Sequence, residues 1–177
     1  TVRATRGASQ EVLLSETRPR IRSMLQHGTT TAEAKTGYGL ETQSELRLLA
    51  SLLALWAEGP LDLALTFLGA HAIPPEFRDD PQGYTDQLCQ EMLPAVKRWW
   101  QANAAGEPLP FVDVFCERGA FDLEQTCQIL MAARELGFPL KVHADEFDNL
   151  GGTKAAIDLG ATSADHLVAT SLEDIEY

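Results

Sequence analysis

Short apolar runs alternate with longer stretches in which apolar residues return every three or four positions, and the alternation repeats along the chain. Residues 29 to 35, 61 to 68, 111 to 116, 140 to 144 and 162 to 166 read as five short strands. The runs LDLALTFL and FVDVFC are the most apolar of them. Between the strands lie helical patterns. Residues 41 to 58 place Leu46, Leu49, Leu52, Leu53 and Trp56 on one stripe before Gly59-Pro60 stops the helix. Residues 9 to 26 carry Val12, Leu13, Ile21, Met24 and Leu25 at helical spacing, with Pro19 expected to kink or split the helix. A helix over residues 84 to 103 should be interrupted near Pro94, another should run from Asp122 to Leu136, and TKAAIDLG should form a last one.

Strands that alternate with helices imply βα units and a parallel sheet. Two architectures fit five such units. A complete eight-stranded barrel takes about 250 residues, so 177 residues would supply roughly five-eighths of it. An open doubly wound sheet would ordinarily announce itself by GxGxxG or GxxxxGK[ST] after its first strand, and neither occurs. The expectation is therefore an α/β chain forming a partial (β/α)8 TIM-type barrel of about strands 2 to 6. Residues 1–177 would make a single incomplete barrel segment, since no linker or repeat divides them.

Charge narrows the partners. The formal net charge is -12 and the isoelectric point about 4.6, which argues against nucleic acid and anionic membrane surfaces. Cys89, Cys116 and Cys127 have no CxxC spacing and are odd in number, so a reducing, cytoplasmic setting is expected. Neither a signal peptide nor a run long enough to span a membrane is visible.

Polar residues gather at the strand ends. His71, His143 and His166 each fall at or just beyond one, and Glu146 follows His143 by three residues. Neutral imidazole ligates zinc and iron, and a carboxylate beside a metal-bound water is suited to moving its protons. Tyr38, in the loop TGYGL, offers a phenol to a substrate oxygen. Lys35 and Glu117 could pair with one another or touch substrate. Asp145 and Asp148 have weaker claims, Asp148 fitting a helix cap, and Asp165 could orient a ring or cap a helix. Cys116 and Cys127 read as buried, inert thiols, and His27 as a residue of a last helical turn.

The segments TAEAKTGYGL, TFLGAHAIPPEF, LKVHADEFDNLGG and SADHLVATS, in that order, resemble the imidazolonepropionase family of the amidohydrolase superfamily. The resemblance implies a barrel of the metal-dependent hydrolase kind with one zinc or iron ion. It implies opening of the 4-imidazolone-5-propanoate ring to N-formimidoyl-L-glutamate in histidine degradation, and a homodimer. Residue by residue, His143 resembles the family's fifth-strand metal ligand, and Glu146 the carboxylate that meets substrate and attacking water. His166 resembles the histidine near that water, while Tyr38 and His71 resemble substrate contacts. The family's HxH pair and its late aspartate ligand have no counterpart here, so the stretch by itself is expected to be inactive. Two alternatives stay open: another cyclic-amide hydrolase or deaminase, and a non-catalytic βα binding module.

Overall fold

The structure, a computed structural model, describes residues 1–177. Its sheet contains β1 (Thr31–Lys35), β2 (Asp62–Ala70), β3 (Phe111–Cys116), β4 (Leu140–Ala144) and β5 (Ser163–His166). The strands lie side by side in chain order and every neighbouring pair is parallel. That order decides between the two architectures. A doubly wound sheet reverses direction at a switch point, whereas a barrel adds each strand on the same side of the last. The sheet curls as part of a (β/α) barrel.

Its two faces differ because side chains alternate along each strand. Leu63, Leu65, Phe67, Val112, Val114, Leu140 and Val142 are buried on the convex face, where the helices pack. The other set, Glu33, Lys35, Asp113, Lys141, His143 and Asp165, lines the concave face and is joined by the register Asp113 to Lys141 and His143 to Asp165. An apolar layer thus lies outside and a charged one inside.

The helices begin and end where local chemistry directs. α1 (Val2–Gly7), which the hydrophobic pattern did not reveal, precedes α2 (Gln10–Gln26), capped by Ser9. Pro19 lies inside α2 without splitting it. α3 (Thr42–Glu58) joins β1 to β2, and Gly59, at φ 55°, ends it. Between β2 and β3 come α4 (Pro81–Gln87), a π-turn at Leu88–Met92, and α5 (Leu93–Asn103). The expected interruption is that π-turn: Pro94 in the first turn of α5 has no N–H to give, so the preceding turn widens. α6 (Leu123–Glu135) starts with a reciprocal cap between Asp122 and Gln125. α7 (Gly152–Leu159) precedes β5, and α8 (Leu172–Glu176) follows it. No helix is long and apolar enough to cross a membrane.

Leu130 on α6 is fully buried while its neighbour Met131 is 46% exposed. Leu130→Ala should therefore cost about 2–5 kcal/mol in urea unfolding, and Met131→Ala less than about 0.5 kcal/mol. Equal losses would contradict the assignment of this helix face to the core.

Candidate functional site at the carboxyl ends of the strands

The carboxyl ends of the strands hold two groups of side chains. In the first, the rings of His143 on β4 and His166 on β5 are 5.1 Å apart, and His166 Nε2 lies 3.5 Å from Glu146 Oε2. In the second, Tyr38 meets His71 edge to face at 5.1 Å. Phe115 on β3 stands between them, its ring 6.2 Å from that of His71 and 6.0 Å from that of His143. The three histidines expected at the strand ends are therefore not one cluster; two converge and the third pairs with Tyr38.

Two imidazoles have their tautomers set by acceptors. His143 Nδ1 lies 3.0 Å from Asp113 Oδ1, and since a carboxylate can only accept, Nδ1 carries the hydrogen. Nε2 is left with its lone pair free, which is how a neighbouring carboxylate prepares a histidine for a metal. His71 Nδ1 likewise donates to Gly37 O at 2.9 Å, leaving its Nε2 as an acceptor.

Asp113 is held in turn by Lys35 Nζ at 2.7 Å, which also reaches Glu33 at 3.0 Å and Asp165 at 3.3 Å. Lys35 thus pairs with Asp113 and not with Glu117, and Asp165 serves the lysine rather than a ring or a cap. Ligand atoms of Asp113, His143 and Asp165 all lie within 4.8 Å of one another, close enough to suggest a cation site. The Lys35 ammonium already bridges its two carboxylates, so a metal there would have to displace a half-buried positive charge. His143 Nε2, the other nitrogen of the same ring, is left without a hydrogen-bond partner by this network.

The loop after β4 is shaped by carboxylates too. Glu117 Oε2 accepts the N–H groups of Phe147 at 2.9 Å and Asp148 at 3.3 Å, and Oε1 that of Arg118 at 2.8 Å. Burial would raise the Glu117 pKa; the three amides outweigh it and hold the group below its ordinary 4.5. Asp145, fully buried at φ 54°, takes hydroxyl hydrogens from Thr153 at 2.6 Å and Thr170 at 2.9 Å. Asp148 does not cap α7, whose N-cap is Gly151, but pairs with Arg118 at 2.8 Å. Glu146 is therefore displayed on a loop whose backbone is fixed on both sides.

The thiols take no part. All three cysteines are free, and burial pushes each thiol up, Cys89 to about 11. An apolar cleft lined by Trp56, Leu63, Trp100, Leu109 and Phe111 opens at the amino-terminal ends of the strands. Glu107 is its only ionisable lining residue, so it offers no comparable chemistry.

An imidazolonepropionase of Herpetosiphon aurantiacus is 51% identical to this chain over 175 residues, 99% of the chain and 41% of the relative. One from Chloroflexus aggregans is 52% identical over 172 residues, covering 96% and 40% respectively. One from Halobacterium salinarum is 48% identical over 174 residues, covering 98% and 39%. The chain thus spans about 40% of the length of the curated relatives it matches. No protein-family model matches it.

Two predictions follow from the ion network. Lys35→Met removes the cation from a fully buried Asp113 and should destabilise the chain by about 3–5 kcal/mol, measured by urea unfolding. The pH dependence has a defined sign. For Glu33, burial opposes ionisation but Thr66, Lys35 and Lys141 outweigh it, so its pKa, like that of Glu117, lies below the ordinary 4.5. Stability from these groups is present above pH 4.5 and is lost as pH falls through their lowered values. Burial would lower the Lys35 pKa, but Asp113 and Glu33 raise it above 10.5; its contribution is present below 10.5 and is lost as pH rises through the raised value. Melting temperature against pH should show a plateau between the two arms, and Glu117→Gln should shrink the acid arm.

Proposed function

The chain is related along almost its whole length to the imidazolonepropionase family, and from that premise we propose that it forms part of the catalytic barrel of a metal-dependent hydrolase. The substrate on this reading is 4-imidazolone-5-propanoate, whose ring is opened to N-formimidoyl-L-glutamate in histidine degradation. The observation that carries it is the convergence of His143, His166 and Glu146 at the strand ends, with the His143 Nε2 lone pair left free by Asp113.

Each residue has a task in this reading. His143 Nε2 would hold one zinc or iron ion together with ligands outside residues 1–177. Such an ion, when bound, polarises a carbonyl and brings the pKa of water toward 7. Glu146 accepts the proton of the attacking water and returns one to the ring nitrogen as the C–N bond breaks. His166, 3.5 Å from that carboxylate, hydrogen-bonds the water and the oxygen on which charge develops. Tyr38 and the His71 Nε2 atom hold the substrate across Phe115. The incomplete sheet, residues 1–177, is one segment of that barrel, which supports the inactivity expected of the stretch alone.

The remaining parts of the reading are a homodimer, a cytoplasmic location and a small-molecule substrate rather than nucleic acid or membrane. The acidic charge and the free thiols support the last two. Sedimentation of the whole gene product tests the first.

Glu146→Gln in the whole gene product keeps size and hydrogen bonding but removes the base, so kcat should fall by about 10²- to 10⁴-fold with metal content unchanged. His143→Ala should lower metal content and rate together. Elemental analysis beside turnover separates the two. Loss of metal from the Glu146 variant would make it a ligand, and full activity would make it scaffolding. Preference for a different cyclic amide would redirect the substrate assignment.

A further inference from the structure

The loop that carries Tyr38 is wound around one buried anion. Glu45, 1% exposed on the first turns of α3, accepts the N–H groups of Gly37 on Oε2 at 2.8 Å and of Gly39 and Leu40 on Oε1 at 2.7 and 2.9 Å. The outward side of the loop is taken by a cation: Arg6 donates to Gly39 O at 2.7 Å and to Leu40 O at 3.3 Å. Amides thus face a carboxylate and carbonyls face a guanidinium, with Tyr38 displayed between.

The loop also has little room to shift. A Cβ on Gly37 would meet Leu68 O at 2.5 Å, and one on Gly39 would meet Ser44 Cβ at 2.5 Å. Gly37 and Leu40 both have positive φ, 102° and 53°, conformations that relax unless something holds them. The carbonyl of Gly37, whose amide Glu45 holds, is the acceptor for His71 Nδ1. One carboxylate therefore fixes both members of the Tyr38–His71 pair.

We propose that Glu45 is a positioning residue for substrate recognition, acting through the backbone of residues 37 to 40 to hold Tyr38 and His71 in their edge-to-face arrangement. It has no role at the hydrolytic group. The proposal rests on the reading that Tyr38 and His71 contact substrate, and it adds the group that presets them.

Glu45→Gln is the informative change. One oxygen still accepts, but the new NH2 faces an amide hydrogen, so at least one of the three bonds is lost. In the whole gene product KM for imidazolone propanoate should rise about 10-fold, the loss expected for a hydrogen bond to a charged group. kcat and metal content should stay within about twofold. Tyr38→Phe removes one of the two polar groups that Glu45 presets, so in that background the further effect of Glu45→Gln on KM should shrink to the share carried through His71. Amide exchange at Gly37, Gly39 and Leu40 should quicken by at least 10-fold, a readout that does not depend on the substrate. A lowered melting temperature with unchanged KM would reduce Glu45 to a structural residue and overturn the proposal. So would exchange at the wild-type rate. If Glu45→Gln does not fold, Gly39→Ala, whose Cβ would press on Ser44 Cβ at 2.5 Å and on Glu45 Oε1 at 3.2 Å and so strains the same loop while the carboxylate keeps its charge, must raise KM in the same way; an unchanged KM there also overturns it. Absence of turnover by the unsubstituted protein would refute the substrate reading while the exchange result still reports on the loop.

Discussion

Backbone amides at the ends of parallel strands must find acceptors, and in this chain buried carboxylates supply them. A strand that has left its ladder and not yet entered a helix carries N–H groups with no regular partner, and each costs about 1–3 kcal/mol if buried unpaired. Glu45 satisfies three of them after β1, and Glu117 satisfies three at the ends of β3 and β4. Glu45 reaches its loop from α3, and Glu117, besides holding the amide next to it, reaches the loop after β4 from the end of β3. The display of Tyr38 and of Glu146 therefore depends on charges that never reach the cleft.

The concave face obeys a related constraint. Four strands, β1, β3, β4 and β5, bring Glu33, Lys35, Asp113, Lys141 and Asp165 into one shielded layer, where unpaired charge would be costly. Lys35 resolves most of this by bridging β1 to β3 and β5, and Lys141 adds a contact to Glu33 at 3.1 Å. Ion pairs of this kind contribute little net stability against an apolar alternative but fix geometry strongly. Here the geometry fixed is that of Asp113, and through it the ring of His143. A hydrophobic interior would hold the strands together as well but would leave that imidazole free to turn.

Strand pattern was readable because it is local. The runs at 111 to 116 and 140 to 144 coincide with β3 and β4, and β2 was placed correctly though it continues to Ala70. What local pattern could not show was which polar residues meet across strands. FVDVFC reads as a core strand, and only its register beside β4 reveals that Asp113 faces His143. The alternation of Asp113 with Phe111 and Phe115 on one face was the one available signal. Glu45 gave less, since it lies one residue before Leu46 at the start of the amphipathic stripe and reads as a helix-start acid favoured by the dipole. The acceptor-poor TGYGL loop just before it was the clue. Lys35 and Glu117, both at strand ends, looked interchangeable as partners, yet their actual partners lie on strands and loops that no spacing rule connects to them.

The separation of the cleft into two halves follows from these supports. His143, His166 and Glu146 are fixed through β3, β4 and β5, whereas Tyr38 and His71 are fixed through β1, β2 and α3, and the Phe115 ring lies between those of His71 and His143. On the proposed reading the first half carries out hydrolysis and the second recognises substrate. Because each half is anchored to different buried charges, a change in one can alter affinity without disturbing proton transfer in the other. Such division favours catalysis, since groups already held in position need not be ordered when substrate binds, and that entropic cost is met during folding instead. On the same proposed reading Phe115, whose ring lies between those of His71 and His143, would present an apolar surface to the substrate ring and leave the choice of substrate to the polar groups on either side.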